Sequence, residues 1–244
     1  MPLGLRLLPP SAGDRFRRAR FGLCRGIIED VVAQRGACHV LDIGGALRYW
    51  QVCAPDLLED ARVSFDMVNI AYSPGDQESA EAIGGNRIRL LLGDARAMPE
   101  IADGAYDLAH SNSVIEHVGR WPDMQAMAAE VRRIGQQYYV QTPYWGFPIE
   151  PHFRVAGFHW LPEQWRLSLV MRAARGYHPQ AETVDAGMRM IESAVLLNRR
   201  QYGALFPGAN IHSEIVYGLT KSLIALGGTG VAPDPQSNTR ALRV

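Results

Sequence analysis

Val40-Leu41-Asp42-Ile43-Gly44-Gly45 joins an apolar run to a carboxylate and then to two glycines. That order suits a buried parallel strand ending in a tight turn. Leu41 and Ile43 can pack on a sheet, and Asp42 then stands at the strand's carboxyl end, where open α/β sheets place their ligands. Gly44 and Gly45 lack a Cβ, so the backbone can take positive φ and come close to a ligand. The dinucleotide spacing G-x-G-x-x-G is absent, because Ala46, Leu47, Arg48, Tyr49 and Trp50 follow. No phosphate cradle of the P-loop kind is present either. Alone, the stretch is equally compatible with an ordinary strand end.

The segments around it carry the same alternation. Asp14 to Ala33 predicts an amphipathic helix, with Phe16, Leu23, Ile27, Ile28 and Val31 near one face. Arg15, Arg17, Arg18, Arg20 and Arg25 occupy much of the other and are expected to be solvated; attraction of an anionic substrate is the alternative. Val40 to Ile43, Val63 to Ile70, Ile88 to Leu92 and Ala105 to His110 predict strands. Asp123 to Ile134 predicts a helix and Gln137 to Gln141 a fifth strand. Such alternation indicates βαβ units. The expected fold is α/β, a Rossmann-like doubly wound, mostly parallel sheet with helices on both faces. Ile211 to Tyr217 and Leu219 to Ala225 are expected to close it as an antiparallel pair.

Between these lies a different texture. From Thr142 to Trp165, Pro143, Pro148, Pro151 and Pro162 alternate with Tyr144, Trp145, Phe147, Phe153, Phe158, Trp160 and Trp165. A proline-rich segment cannot be regular helix or central sheet, and long loops of this sort are often lids or binding loops. Its aromatics could wall a pocket, pack as a small satellite core, or do both. Val184 to Phe206 predicts a single helix. The domain plan is an N-terminal helical segment at 1–37, a main domain at 38–226 and a disordered tail at 227–244.

Composition narrows the class. The chain has 244 residues, 47% hydrophobic and 20% charged, with a formal net charge of +0. Those values describe a globular protein without a broad nucleic-acid footprint. Cys24, Cys38 and Cys53 show neither metal nor disulfide spacing, which fits a reducing cytoplasm. The apolar N-terminus carries Arg6, is broken by Pro9-Pro10, and lacks the core of a signal peptide. No apolar run suffices to span a bilayer, so no membrane association is expected.

Several strand-end motifs, in order from about Cys38 to Leu226, resemble those of class I S-adenosylmethionine-dependent methyltransferases, in particular the small-molecule branch of the type 11 group. LDIGG resembles the first motif, where an acidic residue and a glycine turn hold the methionine part of the cofactor. GDARAMP, Gly93 to Pro99, resembles the third, whose aspartate meets the adenine amino group. YDLAHSNSVIEHV, Tyr106 to Val118, resembles the fourth. The resemblance implies S-adenosylmethionine as cofactor, S-adenosylhomocysteine as product, and Asp42, Gly44, Gly45, Asn69, Asp94, Ala95 and Ser111 as cofactor-binding residues. Two departures stand out. Ala46 and Leu47 replace further glycines, so the cofactor should be gripped differently near Arg48 to Trp50. Asn69 stands where an acidic residue usually binds the ribose hydroxyls. An amide can both donate to and accept from a hydroxyl. Asp66 is the other candidate, but strand alternation turns it away.

The implied reaction is methyl transfer to a small-molecule or glycan-like acceptor, most simply at oxygen. An RNA or protein methyltransferase and a catalytically silent partner subunit of this fold are the alternatives. Methyl transfer needs alignment and exclusion of water, and a hydroxyl acceptor benefits from a general base. Glu116 and His117 follow the fourth strand; Glu150 and His152 lie in the proline–aromatic loop. His117 or His152 is the expected base, with Glu150 orienting a histidine or the substrate. Glu116, His117 and His152 could also share a divalent ion. Some relatives use Glu-x-x-Glu-His for that purpose, but Ser113 replaces the first glutamate here, so no resident metal is expected.

Overall fold

The structure, a computed structural model, describes residues 12–229 and 241–243. The expectation of no signal peptide falls on residues 1–11 and lies outside the described residues, as does most of the tail.

Strand formers and amphipathic runs alternate through the first half of the chain, and the elements follow that alternation. They are α1 (Ala12–Arg35), β1 (Cys38–Ile43), α2 (Leu47–Cys53), α3 (Pro55–Glu59), β2 (Val63–Asn69), α4 (Asp76–Gly84), β3 (Ile88–Leu92), β4 (Tyr106–Asn112), α5 (Trp121–Ile134) and β5 (Gly135–Pro143). β6 (Ile149–Glu150) and β7 (Val155–Ala156) then make a small hairpin. α6 (Glu163–Arg172), α7 (Val184–Glu192), α8 (Arg199–Leu205), β8 (Asn210–Val216), β9 (Leu219–Gly228) and β10 (Ala241–Arg243) complete the chain.

One eight-stranded sheet runs in the order β10-β8-β9-β5-β4-β1-β2-β3. β1 to β5 are mutually parallel, and β9 runs antiparallel to both β5 and β8. The fold is therefore the doubly wound, mostly parallel sheet with a late antiparallel pair. Strand order reverses between β1 and β4, which puts a ligand crevice at their carboxyl ends. There the register sets Asp42 beside Met67 on one side and His110 on the other.

Helices cover both faces. α5 presents Met124, Met127, Ala128, Val131 and Ile134 to the sheet, all buried. These fall on one helical stripe, and each large side chain among them stabilises the fold by about 1.5–3 kcal/mol. Asp123 accepts from the Arg120 backbone N–H at 2.9 Å and fixes the start of α5. On the opposite face α1 to α3 bury Phe21, Ile28, Trp50 and Leu58 against Val40, Phe65 and Leu108. A third, smaller core of Phe153, Phe158, Val170, Ala181 and Ile191 holds an appended lobe together.

Two expectations need correction. Val184 to Phe206 is two helices, not one. Ser193 to Asn198 separates them because its backbone bonds elsewhere: Val195 N–H donates to Glu116 O at 2.8 Å and Trp145 N–H to Leu197 O at 3.0 Å. Asn198 then starts α8 afresh, accepting from Gln201 N–H at 2.9 Å in a capping box. The tail expectation also meets exceptions, since Gly227 and Gly228 finish β9 and Ala241–Arg243 pair with β8 as β10.

Candidate functional site

The glycine turn is built around Asp42. Gly44 has φ +70, and a Cβ there would lie 2.6 Å from the Val114 methyls. A Cβ on Gly45 would stand 1.6 Å from Asp42 Oδ2. The carboxylate thus folds over the turn into space that only glycine leaves open. Trp50 Nε1–H donates to Asp42 Oδ2 at 2.6 Å, and His110 Nδ1 meets Oδ1 at 2.6 Å. A carboxylate can only accept, so His110 carries its proton on Nδ1. Its Nε2 is buried without a partner. Trp50, where the turn lacks further glycines, is fully buried in α2 and supplies the indole donor to Asp42.

Asn69 closes the turn from the neighbouring strand. Its Nδ2–H donates to Gly45 O at 2.7 Å. Asp66, three residues earlier, is buried on the far side with Arg89 and Tyr106. Burial pushes its carboxyl up, but bonds from His39, Arg89 and Tyr106 outweigh this and hold it well below the usual range. Asp94 follows β3 and is gripped by Arg96, whose Nη2 lies 2.6 Å from Oδ2 and whose Nη1 reaches Asp123 at 2.9 Å. That guanidinium keeps the Asp94 carboxyl below its ordinary value. Gly44, Asn69, Asp94, Ala95, Ser113 and His117 line a cavity of about 410 Å³.

Ser111 is placed differently from the other cofactor candidates. It is fully buried, and its hydroxyl donates to Ile43 O at 3.1 Å, pinning β4 to β1. The residue that faces the crevice is Ser113, two positions on. It holds φ +57, left-handed for a non-glycine residue, and such strain concentrates at functional sites. Ser113 lines the 410 Å³ cavity, a second of about 280 Å³ beside Asp42 and His110, and a third of about 300 Å³.

The four acceptor-side candidates come together as one cluster. His152 Nδ1 meets Glu150 Oε1 at 2.7 Å, and Glu150 Oε2 accepts from Phe153 N–H at 2.6 Å. His117 Nδ1 meets Ser193 O at 2.7 Å. The two rings face each other with Nε2 atoms 3.1 Å apart. Glu116 is buried beneath them; Thr142 donates to its Oε2 at 3.0 Å, and Oε1 has no partner. Burial pushes the Glu116 carboxyl up. Burial also lowers His152, but the Glu150 carboxylate outweighs it and holds the imidazole above its ordinary value. The broken α7–α8 segment is what brings Ser193 O to His117.

The third cavity lies between α1, β5 and the proline–aromatic loop. Phe16, Tyr144 and Phe147 give it apolar walls, and Arg17, Arg154 and Lys221 give it positive charge. Arg20 corrects the expectation of a solvated arginine face. It is 5% exposed and donates from Nη2 to Asn112 Oδ1 at 2.9 Å, with Nη1 3.4 Å from the buried Glu214. Among the loop aromatics, Phe153 and Phe158 stack at 4.2 Å in the lobe core, while Tyr144 and Phe147 face the cavity. Sequence reading pointed to Arg48 to Trp50 without singling out the Trp50 indole as the donor to Asp42, took Arg20 as solvated, and missed His110, Asn112 and Glu214. Only His110 and Asn112, at the end of a strand already assigned to the crevice, carried a signal that could have found them.

These residues fit the cofactor that the resemblance implies. Gly44 and Gly45 leave a cradle that any Cβ would fill. Asp42 lines the 280 Å³ cavity and retains lone pairs for an ammonium group. Asp94 and Asn69 face the adjoining space.

A family described as a methyltransferase domain matches residues 53–137. No curated protein sequence matches the chain. Solved structures share the fold at low identity. Magnesium protoporphyrin IX methyltransferase from Synechocystis PCC 6803, with bound S-adenosylhomocysteine, is 13% identical over 90% of this chain and 88% of that one, with a TM-score of 0.50. The N-terminal domain of EvdMO1, also with S-adenosylhomocysteine, is 14% identical over 91% and 82%, with a TM-score of 0.50. The CurJ carbon methyltransferase is 13% identical over 79% and 49%, with a TM-score of 0.49. The chain spans 49% to 68% of the length of the first solved structures that it matches.

Proposed function

We propose that the chain is a class I S-adenosylmethionine-dependent methyltransferase that methylates a small-molecule or glycan-like acceptor at oxygen. The methyltransferase-domain match over residues 53–137 and the sheet order support this reading. The observation that carries this reading is Ser113, which forms a wall common to two of the cavities along the glycine turn and to the aromatic–cationic cavity beside them. A cofactor in the crevice and an acceptor in the third cavity would then meet at one point.

When bound, the cofactor supplies an electrophilic methyl group. Asp42 would hold the amino-acid part of the cofactor, Gly44 and Gly45 would let the backbone approach it, and Asn69 and Asp94 with Ala95 would serve its ribose and adenine parts. Ser111 holds the end of β4 in place. On the acceptor side, Glu150 orients His152. The His152–His117 pair, which reaches the 410 Å³ cavity through His117 and does not line the third cavity, would receive the proton of an acceptor hydroxyl that extends past Ser113. The base–orienter pair of imidazole and carboxylate is the arrangement that such a proton transfer needs. Tyr144 and Phe147 pack on the acceptor, and the loop that carries them excludes water.

A cavity of about 300 Å³ suits a small acceptor better than a polymer chain. The positive side chains on its wall favour an acceptor that carries a negative group. The direct test is calorimetry with S-adenosylhomocysteine, followed by methyl transfer from labelled S-adenosylmethionine to a panel of hydroxylated small molecules and glycosides. Transfer to oxygen supports the proposal; transfer confined to RNA or protein contradicts it.

A further inference from the structure

His117 and His152 present the same ring nitrogen to each other. Each Nδ1 faces an oxygen acceptor, Ser193 O for His117 and Glu150 Oε1 for His152. Those acceptors hold the Nδ1 protons, so in the neutral rings both Nε2 atoms carry lone pairs. The two lone pairs point at one another across 3.1 Å. Nearby lies Glu116 Oε1, buried and without a hydrogen-bond partner. Glu116, His117 and His152 each offer one ligand atom, and those three atoms lie within 4.8 Å of one another. Two facing lone pairs and an unpartnered carboxylate oxygen repel unless something positive sits among them.

We infer that Glu116, His117 and His152 form a binding site for a first-row divalent transition-metal ion. The distances suit it. Bonds of about 2.0–2.1 Å in a tetrahedral arrangement place neighbouring ligand atoms roughly 3.3 Å apart. The histidine pair already stands at that separation, and the carboxylate reaches it by a small side-chain shift. Two imidazoles with one carboxylate suit zinc, manganese, iron or cobalt rather than magnesium or calcium, which favour oxygen ligands. Outer partners are in place as well. Ser193 O and Glu150 each hold a ligand ring by its second nitrogen, the support that metal-bound histidines generally have. His117 also lines the cavity of Asp94 and Asn69, so an ion there would stand on the wall of the crevice with coordination positions open to it. This reverses the expectation from Ser113: the spacing lacks a glutamate, but the loop histidine completes a set of three.

A single proton shared by the two rings is the competing occupant. It would relieve the lone-pair contact but leave Glu116 Oε1 without a bond. Ion binding and proton acceptance would use the same Nε2 lone pairs, so an ion-loaded site would replace the histidine base by coordinating the acceptor. Binding of the ion is tested without reference to methyl transfer, and only its role toward an acceptor rests on that reading.

The test uses the full chain purified without a nickel column and stripped with chelator, then titrated with cobalt(II) chloride. A visible d–d absorption that saturates at one ion per chain is expected. The exposed His117→Ala variant, folded by circular dichroism, should bind cobalt at least tenfold more weakly. Glu150→Gln, which loosens only the outer support, should weaken binding about 10-fold or more. Zinc(II) chloride should displace the cobalt spectrum. An absent spectrum in the wild type overturns the inference. So does a spectrum unchanged in a His117→Ala/His152→Ala double variant. S-adenosylhomocysteine affinity, measured on the same samples, reports the cofactor crevice separately.

Discussion

Asn69 donates its side-chain N–H to the backbone carbonyl of Gly45 at 2.7 Å, tying the end of β2 to the glycine turn after β1. This explains why an amide, not a carboxylate, stands here. A carboxylate has no donor and would face the carbonyl with like partial charge. Asn69→Asp, although it restores the family's usual residue type, should therefore loosen the turn. S-adenosylhomocysteine affinity is expected to fall about tenfold, consistent with the loss of roughly 1 kcal/mol of hydrogen bonding plus repulsion. Calorimetry on folded variant protein checks this, and tighter binding would contradict it.

Trp50 supplies the other fastening. Its indole N–H is the donor to Asp42 Oδ2 at 2.6 Å in a fully buried setting. Trp50→Phe keeps most of the packing but leaves a buried carboxylate oxygen short of a donor. Stability is expected to drop by about 1–3 kcal/mol, read from the urea midpoint. An unchanged midpoint would show that another donor takes over.

Arg20 locks α1 across the sheet edge. Glu214 is fully buried, accepts from Ser222 Oγ at 2.5 Å, and depends on Arg20 for its nearest positive charge. Removing one partner leaves the other charge uncompensated. Arg20→Ala should destabilise by roughly 3 kcal/mol, the lower end of the range for broken buried pairs, because Lys221 stands 3.7 Å from the second carboxylate oxygen. Glu214→Gln in the same background should recover part of the loss. A melting temperature unmoved by Arg20→Ala would contradict this.

Asp66 gives a pH signature. Its folded carboxyl titrates well below the ordinary value of about 3.9. A depressed carboxylate stabilises the fold fully above that ordinary value. The contribution is lost as pH falls below about 4 toward the folded pKa, because the unfolded state takes up the proton first. Stability should thus decline on acidification, and Asp66→Asn should flatten part of that slope while lowering stability at neutral pH. A variant with the wild-type slope would contradict it.

His152 is expected to matter for turnover more than for binding. His152→Gln should reduce kcat about 100-fold or more with KM changed only a few-fold, the usual scale for a lost proton acceptor. Glu150→Gln should have a smaller effect in the same direction. Loss confined to KM would assign the pair to acceptor binding alone.

Much of the fold was legible because strands β1 to β4 announce themselves by apolar runs ending in polar residues, and each lies near its own sequence signal. The cluster of Glu116, His117, Glu150 and His152 was legible as a set of residue types, since all four follow strand ends or sit in the unusual proline–aromatic segment. Its wiring was not. Ser193 O reaches His117 only because the stretch before α8 bonds to Glu116 and Trp145, and no local pattern in Val184 to Phe206 reveals that interruption. Arg20 looked solvated for the same reason: its partners Asn112 and Glu214 lie far along the chain. Ser111 and Ser113 differ by two positions on one strand end, where the turn to left-handed backbone at Ser113 decides which side chain meets the crevice.

The central claim is that the crevice at the ends of β1 to β4 holds S-adenosylmethionine. Calorimetry of the wild type, Asp42→Ala and Asp94→Ala with S-adenosylhomocysteine tests it most directly. Saturable binding at one ligand per chain in the wild type, weakened in both variants, is the expected result. No binding by the wild type, or affinity unchanged by both substitutions, would contradict it.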